Sequence, residues 1–327
     1  MGRVRALRFS RSGDPRALVE LVELPEPEVG PGEVLVEVLA SPVGPMDRLS
    51  LRGLYPLATR DGIPGAQGVG LVVEQGEGVE EPEVGSVVLL PARVGAWRER
   101  LVLPGMSLVP IAAERDPVLA CTLRIEALTA ALLIADVPAG GCFIHSPGAG
   151  SVGRYLTILA RQRGLHNIAL VSSSEPIADL WGLGADEVLV REPGLAGRLA
   201  NLGLPLPTIG FDGSGGAVSS LLASCLEPGG ELVVYGAMSR QPITLGVDQL
   251  VFRDIKLRGF WLHRWAQEVG EAKLRAELLA LSKLELSEHV VARFTLDQWS
   301  DALALAERSG ARGRVVFTPA LSGAPPS

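Results

Sequence analysis

Lysine is nearly missing from this sequence. Of 30 basic residues only Lys256, Lys273 and Lys283 are lysines, a bias that carries no functional message by itself. Cysteine is scarce too. Cys121, Cys142 and Cys225 all lie in apolar stretches and none belongs to a C-x-x-C pair. That excludes a disulfide scaffold and a cysteine-rich zinc site and leaves buried free thiols. The four histidines, His145, His166, His263 and His289, lack metal-ligand spacing. There is no excess of positive charge, the net charge being -7, so nothing in the composition points to a nucleic-acid partner. No apolar run reaches the length of a membrane span, and no membrane association is expected. What remains is an ordinary soluble composition, 47% hydrophobic and 20% charged, in 327 residues, enough for two domains.

Glycine is abundant, and one glycine cluster organises the chain. Cys142-Phe143-Ile144 is a short apolar run suited to a buried strand, and Gly148, Gly150 and Gly153 follow as G-x-G-x-x-G. Val152, Leu156, Leu159 and Arg163 then recur near one helical face. In a strand–turn–helix, two such glycines permit a tight turn and close approach of a pyrophosphate. The third lets helix and strand pack closely, and the helix N-terminus, here Ser151 and Val152, faces the phosphates. Among 39 glycines the motif alone is weak, and a structural turn is the competing reading. The strand before it and the helix after it favour dinucleotide binding.

Residues 1 to about 112 read as β-rich. Val4 and Ala6 alternate with arginines as in a strand, and Ser12-Gly13-Asp14-Pro15 is a turn. Arg3, Arg5, Arg8 and Arg11 precede the first acid and superficially resemble an organelle presequence. The alternation argues instead for the first strand of a folded, cytoplasmic chain. Further strands are expected at 34–39, 69–73, 84–90, 98–103 and 107–110, a spacing that suggests a compact barrel-like domain. Leu119 to Asp136 has helical periodicity. Six strands, 142–145, 168–172, 187–190, 208–212, 231–235 and 255–260, then alternate with helices, as a complete doubly wound parallel sheet requires. A polar helix at 266–283, a strand at 290–294, a helix at 297–309 and a strand at 314–318 follow; they are expected to return to the first domain. The tail, 321–327, is Gly, Pro and Ser and is expected to be disordered.

This order resembles the medium-chain dehydrogenase/reductase superfamily. The matching stretches are Gly65-Ala66-Gln67-Gly68-Val69-Gly70, the turn Gly148 to Gly153, Leu183-Gly184-Ala185-Asp186, Gly229-Gly230-Glu231 and Gly313-Arg314-Val315-Val316. The chain is most similar to the 2-enoyl thioester reductases, the group of the mitochondrial-type enoyl-acyl-carrier reductases. Leu51-Arg52-Gly53-Leu54-Tyr55-Pro56 resembles the segment bearing that group's catalytic tyrosine, and Gly95-Ala96-Trp97-Arg98-Glu99 its G-T-W-R segment. Leu257-Arg258-Gly259-Phe260-Trp261-Leu262-His263-Arg264-Trp265 closely resembles its L-R-G-F-W-x-x-x-W stretch. The resemblance implies an α/β fold: a doubly wound Rossmann sheet with a β-rich GroES-like partial-barrel catalytic domain. The domains are placed at 1–117, 118–258 and 259–327, the last returning to the first. Two departures stand out. Gly44 occupies the place of the family's Asn, and Gln67 that of its Glu. The zinc-dependent branch offers a Cys and a G-H-E segment where this chain has Gly44 and Ala66, so neither catalytic nor structural zinc is expected.

Reduction of an α,β-unsaturated thioester needs a hydride at the β carbon, a proton at the α carbon, and a donor for the oxygen on which negative charge builds. The resemblance makes Tyr55 that donor, a phenol being a neutral hydrogen-bond donor at pH 7; an ordinary loop aromatic is the alternative. Tyr235, Gly236 and Met238 end the fifth sheet strand and are expected to line the nicotinamide or phosphate side. By resemblance Phe260 and Trp261 meet the nicotinamide carboxamide with their backbone and wall the acyl pocket with their side chains. Trp97 and Trp265 stand evenly between pocket and packing. Arg314 matches a basic residue near the cofactor phosphates, with a surface salt bridge as the competing reading. The second sheet strand ends in Ser172-Ser173-Ser174 rather than Asp or Glu, which leans towards NADPH, although the arginines usual in the family are missing there and Glu175 follows. Asp212-Gly213-Ser214-Gly215-Gly216 reads as another cofactor-side loop or a plain turn. The expected activity is NADPH-dependent reduction of a trans-2-enoyl thioester of coenzyme A or acyl carrier protein, by a homodimer. A quinone or alkenal reductase, and a catalytically idle NADPH-binding regulatory protein, are the alternatives.

Overall fold

The computed structural model describes residues 2–55, 60–192, 194–286, 289–308 and 313–319. Within these the chain forms two compact units, Met1–Leu128 with Ala272–Ser327, and Thr129–Glu271. The changeovers at 128/129 and 271/272 each fall further along the chain than the sequence reading placed them, 117/118 and 258/259. The apolar segment after Pro117 keeps its first half with the strands of the first unit. The helix after the last sheet strand stays with the second unit until Gly270, where a φ of 77° breaks it.

The first unit begins with β1 (Arg3–Phe9) and β2 (Val19–Pro25), an antiparallel pair. Then come β3 (Glu33–Pro42), β4 (Val69–Gln75), β5 (Val87–Leu89), β6 (Arg100–Pro104) and β7 (Val109–Pro110). The second unit contributes β8 (Cys142–Ser146), β9 (His166–Val171), β10 (Glu187–Val190), β11 (Ile209–Asp212), β12 (Glu231–Val234) and β13 (Lys256–Gly259). The return to the first unit adds β14 (Val290–Phe294) and β15 (Arg314–Phe317).

In the first unit seven strands join in the order β14-β15-β3-β4-β5-β7, with β6 on β3. The return segment is therefore stitched directly into this sheet through β15 and β3. Two apolar clusters hold the unit. One gathers Val34, Val36, Val72, Val88 and Leu101 between the strands. The other packs Leu7, Leu51, Trp97, Leu296, Leu303 and Phe317 where the helix Trp299–Arg308 covers the sheet.

The second unit is a six-stranded parallel sheet in the order β10-β9-β8-β11-β12-β13. All five residues of β8 are buried, as expected of the central strand of a sheet covered on both faces, and this explains the apolar run Cys142-Phe143-Ile144 at its start. Helix Ser151–Arg163 buries Tyr155, Leu156 and Leu159. On the other face Leu222, Leu195 and Leu199 pack on Ile144, Ile168 and Leu232. Each such side chain contributes roughly 1.5–3 kcal/mol. The strand order reverses beside β8, so the carboxyl ends of the strands open there into the crevice where open α/β sheets bind ligands.

Two expectations need correction. The segment Pro117–Asp136 does have the length and apolarity of a membrane span, with a mean hydropathy of 1.9 over 18 residues, but 78% of that window is buried inside the protein. It is also not one regular helix. Pro117–Ala120 leads into a wide turn of helix at Leu123–Ala127, then Leu128–Leu133 and a tight last turn at Ile134–Asp136. The tail at 321–327 lies outside the described residues.

Candidate active site

The glycine turn in the second unit is shaped as the motif demands. A Cβ on Gly153 would lie 2.3 Å from the Pro147 carbonyl oxygen and 2.5 Å from that of Gly148. One on Gly148 would lie 2.9 Å from the Ala169 Cβ. The Gly148 N–H donates to the Leu170 carbonyl at 2.8 Å, which ties the turn to β9. Gly150 is the residue before the helix Ser151–Arg163, so the positive end of that helix, with Ser151 and Val152 half-buried in its first turn, starts at the turn. This cradle fits a pyrophosphate, because its glycines allow a turn too tight for side chains and the helix N-terminus opens onto it.

Ser172 and Ser173 lie exposed past the end of β9. At the end of β11 the Asp212 carboxylate is fully buried and organises the next turn. It accepts from the Ser214 N–H at 2.7 Å, the Gly215 N–H at 2.9 Å and the Ser219 hydroxyl at 2.6 Å. The loops after β11 and β12 are fastened together, since Met238 N–H donates to Gly213 and Ser239 N–H to Ser214, at 3.3 and 2.8 Å. Gly213 and Gly236 are needed here. A Cβ on the first would strike the Tyr235 ring at 2.7 Å, and one on the second the Gly213 carbonyl at 2.7 Å. Tyr235 is half-buried against this turn; burial, reinforced by the Asp212 charge, pushes its phenol well above the usual range. Met238 is exposed. The Phe260 N–H extends the ladder by donating to Val234 at 2.8 Å. Phe260 is half-buried, and the exposed Trp261 stands edge-on to His263 at 5.2 Å. The residues expected to hold a cofactor in this unit are thus gathered at the carboxyl ends of one parallel sheet, Asp212's loop included.

In the first unit Tyr55 is half-buried just past the helix Pro45–Leu51, whose end is closed by Gly53 N–H to Ser50 and Leu54 N–H to Leu49. Pro56, which completes the matched segment, lies outside the described residues. Below that helix end is a small pocket of about 240 Å³, open mouth included, bordered by Phe9, Asp47, Leu51, Ile63 and Arg93.

Two sequence expectations change in this unit. Trp97 is not a pocket wall. It is wholly buried, donates its indole N–H to Pro42 at 3.3 Å and meets Phe317 edge-on at 5.0 Å. Its size and apolarity are used by the core. Arg314 is not a surface salt bridge either. Its guanidinium lies 2.7 Å from Glu126, both side chains being about 8% exposed, so its charge is met inside the unit.

Sequence reading missed the partners in that cluster. Glu126 also accepts from the Gln67 amide, whose oxygen accepts the Ile125 N–H at 3.0 Å. Asp47 accepts the N–H groups of Gly44, Gly65 and Ala66 at 2.8–3.1 Å. Burial pushes its carboxyl up to about 6 against the pull of those donors and of Arg314. One signal was available: Arg124 and Glu126 are the only charges between Pro117 and Ala135, in a segment otherwise apolar.

The positions equivalent to a dehydrogenase zinc site do not fit a metal, because Gly44 and Ala66 carry no donor atom. Among the described residues no group of three His, Cys, Asp or Glu side chains could hold one.

Comparison with known proteins agrees with this architecture. The family described as alcohol dehydrogenase GroES-like domain matches residues 30–112, and that described as zinc-binding dehydrogenase matches 151–277. The bovine mitochondrial enoyl-[acyl-carrier-protein] reductase is 32% identical over 296 residues, covering 86% of this chain and 79% of that protein. The human one is 30% identical over 316 residues, covering 92% and 85%. Among solved structures, the Etr1p complex with NADP and crotonyl-CoA superposes with a TM-score of 0.85 at 21% identity, covering 97% of this chain and 100% of that one. A candidate NADPH:quinone reductase of Bacillus thuringiensis superposes at 0.87 with 22% identity, covering 97% and 99%. At these identities the two structures speak for the fold alone.

Proposed function

Because the chain belongs to the medium-chain dehydrogenase/reductase superfamily, in its enoyl thioester reductase-like group of NAD(P)H oxidoreductases acting on CH–CH bonds, we propose that it reduces the C=C bond of a trans-2-enoyl thioester with NADPH. The observation that carries this reading is the similarity to mitochondrial enoyl-acyl-carrier reductases over most of both chains, together with a glycine turn that fits a dinucleotide. The acyl carrier is coenzyme A or acyl carrier protein, which share the thioester.

When bound, the reduced nicotinamide supplies the hydride for the β carbon. The chain's own residues do the rest. The turn Gly148 to Gly153 and the helix end behind it hold the pyrophosphate. The Asp212 turn and the backbone of Tyr235 to Met238 orient the nicotinamide half, and Phe260 and Trp261 wall the acyl group. Tyr55 donates to the thioester oxygen as negative charge gathers there. The α carbon takes up one proton from solvent water, so that hydride and proton together saturate the bond. No zinc takes part in this reading: Gly44 and Ala66 offer no donor atom, and a neutral donor can stabilise the oxygen without a Lewis acid. The active species is a homodimer. β13 lies at the edge of its sheet, and the neighbouring Val247, Val251 and Phe252 are exposed.

The test compares wild type with Tyr55→Phe on trans-2-enoyl-CoA substrates and a simple quinone, following nicotinamide absorbance. Enoyl turnover should fall on the order of 100-fold in the variant, the usual cost of losing one oxyanion donor. Quinone turnover unaffected by the substitution, with no enoyl activity in the wild type, would replace this reading with a quinone reductase. Tight NADPH binding without turnover of either substrate would favour a regulatory protein.

A further inference from the structure

The ribose end of the cofactor site poses a problem of charge. The loop after β9 reads Ser172-Ser173-Ser174-Glu175, three hydroxyls and an acid with no basic residue among them. Hydroxyls can donate to a 2′-phosphate, but a dianion held at an exposed sheet edge next to a carboxylate needs a cation to be preferred over a plain ribose.

The neighbouring strand brings one. β10 runs parallel to β9 with Val190 opposite Val171. The next N–H along, that of Arg191, donates to the Val171 carbonyl at 2.9 Å. Arg191 therefore leaves β10 where Ser172 leaves β9, one strand spacing away, about 4.8 Å between backbones. That is well within reach of an arginine side chain. Arg191 is exposed, and among the described residues its guanidinium has no ion pair. The adjacent acid, Glu192, is paired with Arg198 at 3.1 Å. Both β9 and β10 lie on the opposite side of β8 from Asp212 and Tyr235. With the pyrophosphate at the turn after β8, this half of the sheet is the adenosine half.

We propose that Arg191 is the residue that selects NADPH, pairing with the 2′-phosphate while Ser172 and Ser173 donate to it, the cation coming from the third sheet strand and the hydroxyls from the second. The proposal rests on the NADPH reading above. It explains how a chain without a basic residue after β9 can still prefer the phosphorylated cofactor, with Arg191 outweighing Glu175.

The test is direct binding, without turnover: calorimetric titration of wild type, Arg191→Ala, Arg191→Lys and Arg191→Glu with NADPH, NADH, 2′,5′-ADP and ADP. Wild type should bind NADPH and 2′,5′-ADP more tightly than NADH and ADP. Arg191→Ala should weaken NADPH and 2′,5′-ADP at least tenfold while NADH stays within twofold. Arg191→Lys should keep most of the preference, Arg191→Glu should reverse it, and added salt should erode it in the wild type. A wild type that prefers NADPH, with Arg191→Ala retaining that preference, overturns the role of Arg191 and leaves the cofactor reading intact. Equal weakening of NADPH and NADH in the variant likewise overturns it, as general damage to the site. A wild type that binds NADH as tightly as NADPH overturns both, without touching the reductase chemistry.

Discussion

His145 shows how burial alone sets a residue's chemistry. It is fully buried in β8, its Nε2 lies 3.5 Å from the Thr157 hydroxyl, and among the described residues its Nδ1 meets no hydrogen-bond partner. Thr157 donates to the Gly153 carbonyl at 3.1 Å, so the consistent tautomer carries its proton on Nε2. Desolvation lowers the ring to about 3 from its ordinary 6.5. The folded state therefore binds fewer protons than the unfolded chain between those values. Stability from this group is present above pH 6.5 and is lost as pH falls towards 3. In urea unfolding of the second unit, followed by hydrogen exchange in β8 at a series of pH values, wild type should lose about 1.4 kcal/mol more per pH unit across that window than His145→Gln. Parallel profiles for the two proteins would refute it. Asp47 works in the opposite sense, since its raised carboxyl favours the folded state below about pH 6, so His145 must be isolated by difference.

At the scale of elements, the segment Pro117–Asp136 carries the least expected result. Glu126 and its basic neighbour Arg124 interrupt an apolar run, and the acid turns inwards onto Arg314 of β15 and Gln67 beside β4. Position 67 is an amide, and the negative charge of the cluster comes from Glu126. The cluster ties an early loop, the middle segment and the last strand of one unit. Removing one partner of a buried ion pair costs about 3–5 kcal/mol, because the other is left in low dielectric. Glu126→Ala should therefore speed hydrogen exchange at Val315–Phe317 and lower the stability of the first unit by that order. Exchange in β8 to β12 should stay as it was. Unchanged exchange at β15 would show that the pair carries little.

The whole molecule is two units, and a single unfolding free energy does not describe such a chain. Its exposed apolar residues are not scattered evenly. Val247, Val251 and Phe252 precede the edge strand β13, and Leu257 and Trp261 sit on it and just past it. An edge with open backbone groups and apolar flanks invites pairing with a second copy. Light scattering should give a dimer for the wild type, and the double variant Val251→Glu and Phe252→Glu should shift it towards monomer. A wild-type monomer at micromolar concentration would end the dimer reading.

Much of this was legible in the residues themselves. The six strands of the parallel sheet, the glycine turn and the order of the units follow from local signals: apolar runs of strand length, glycines where a Cβ would strike a carbonyl, and helical periodicity between them. Local signals say what a segment is, but not what lies against it. Trp97 and Tyr55 both sit in family-like segments, yet one is sealed in the core and the other half-buried at a helix end, and only packing separates them. Arg314 reads as a neighbour of the cofactor phosphates or a surface salt bridge until β15 is laid beside β3 and Glu126 reaches it. Arg191 reads as one more charge in a loop until β10 pairs with β9 and places it beside the serines. Periodicity and turn chemistry are properties of neighbours in sequence, and so the chain determined its elements and their order by itself. Burial, charge pairing and strand adjacency join residues far apart in sequence, and the tertiary structure alone decided them.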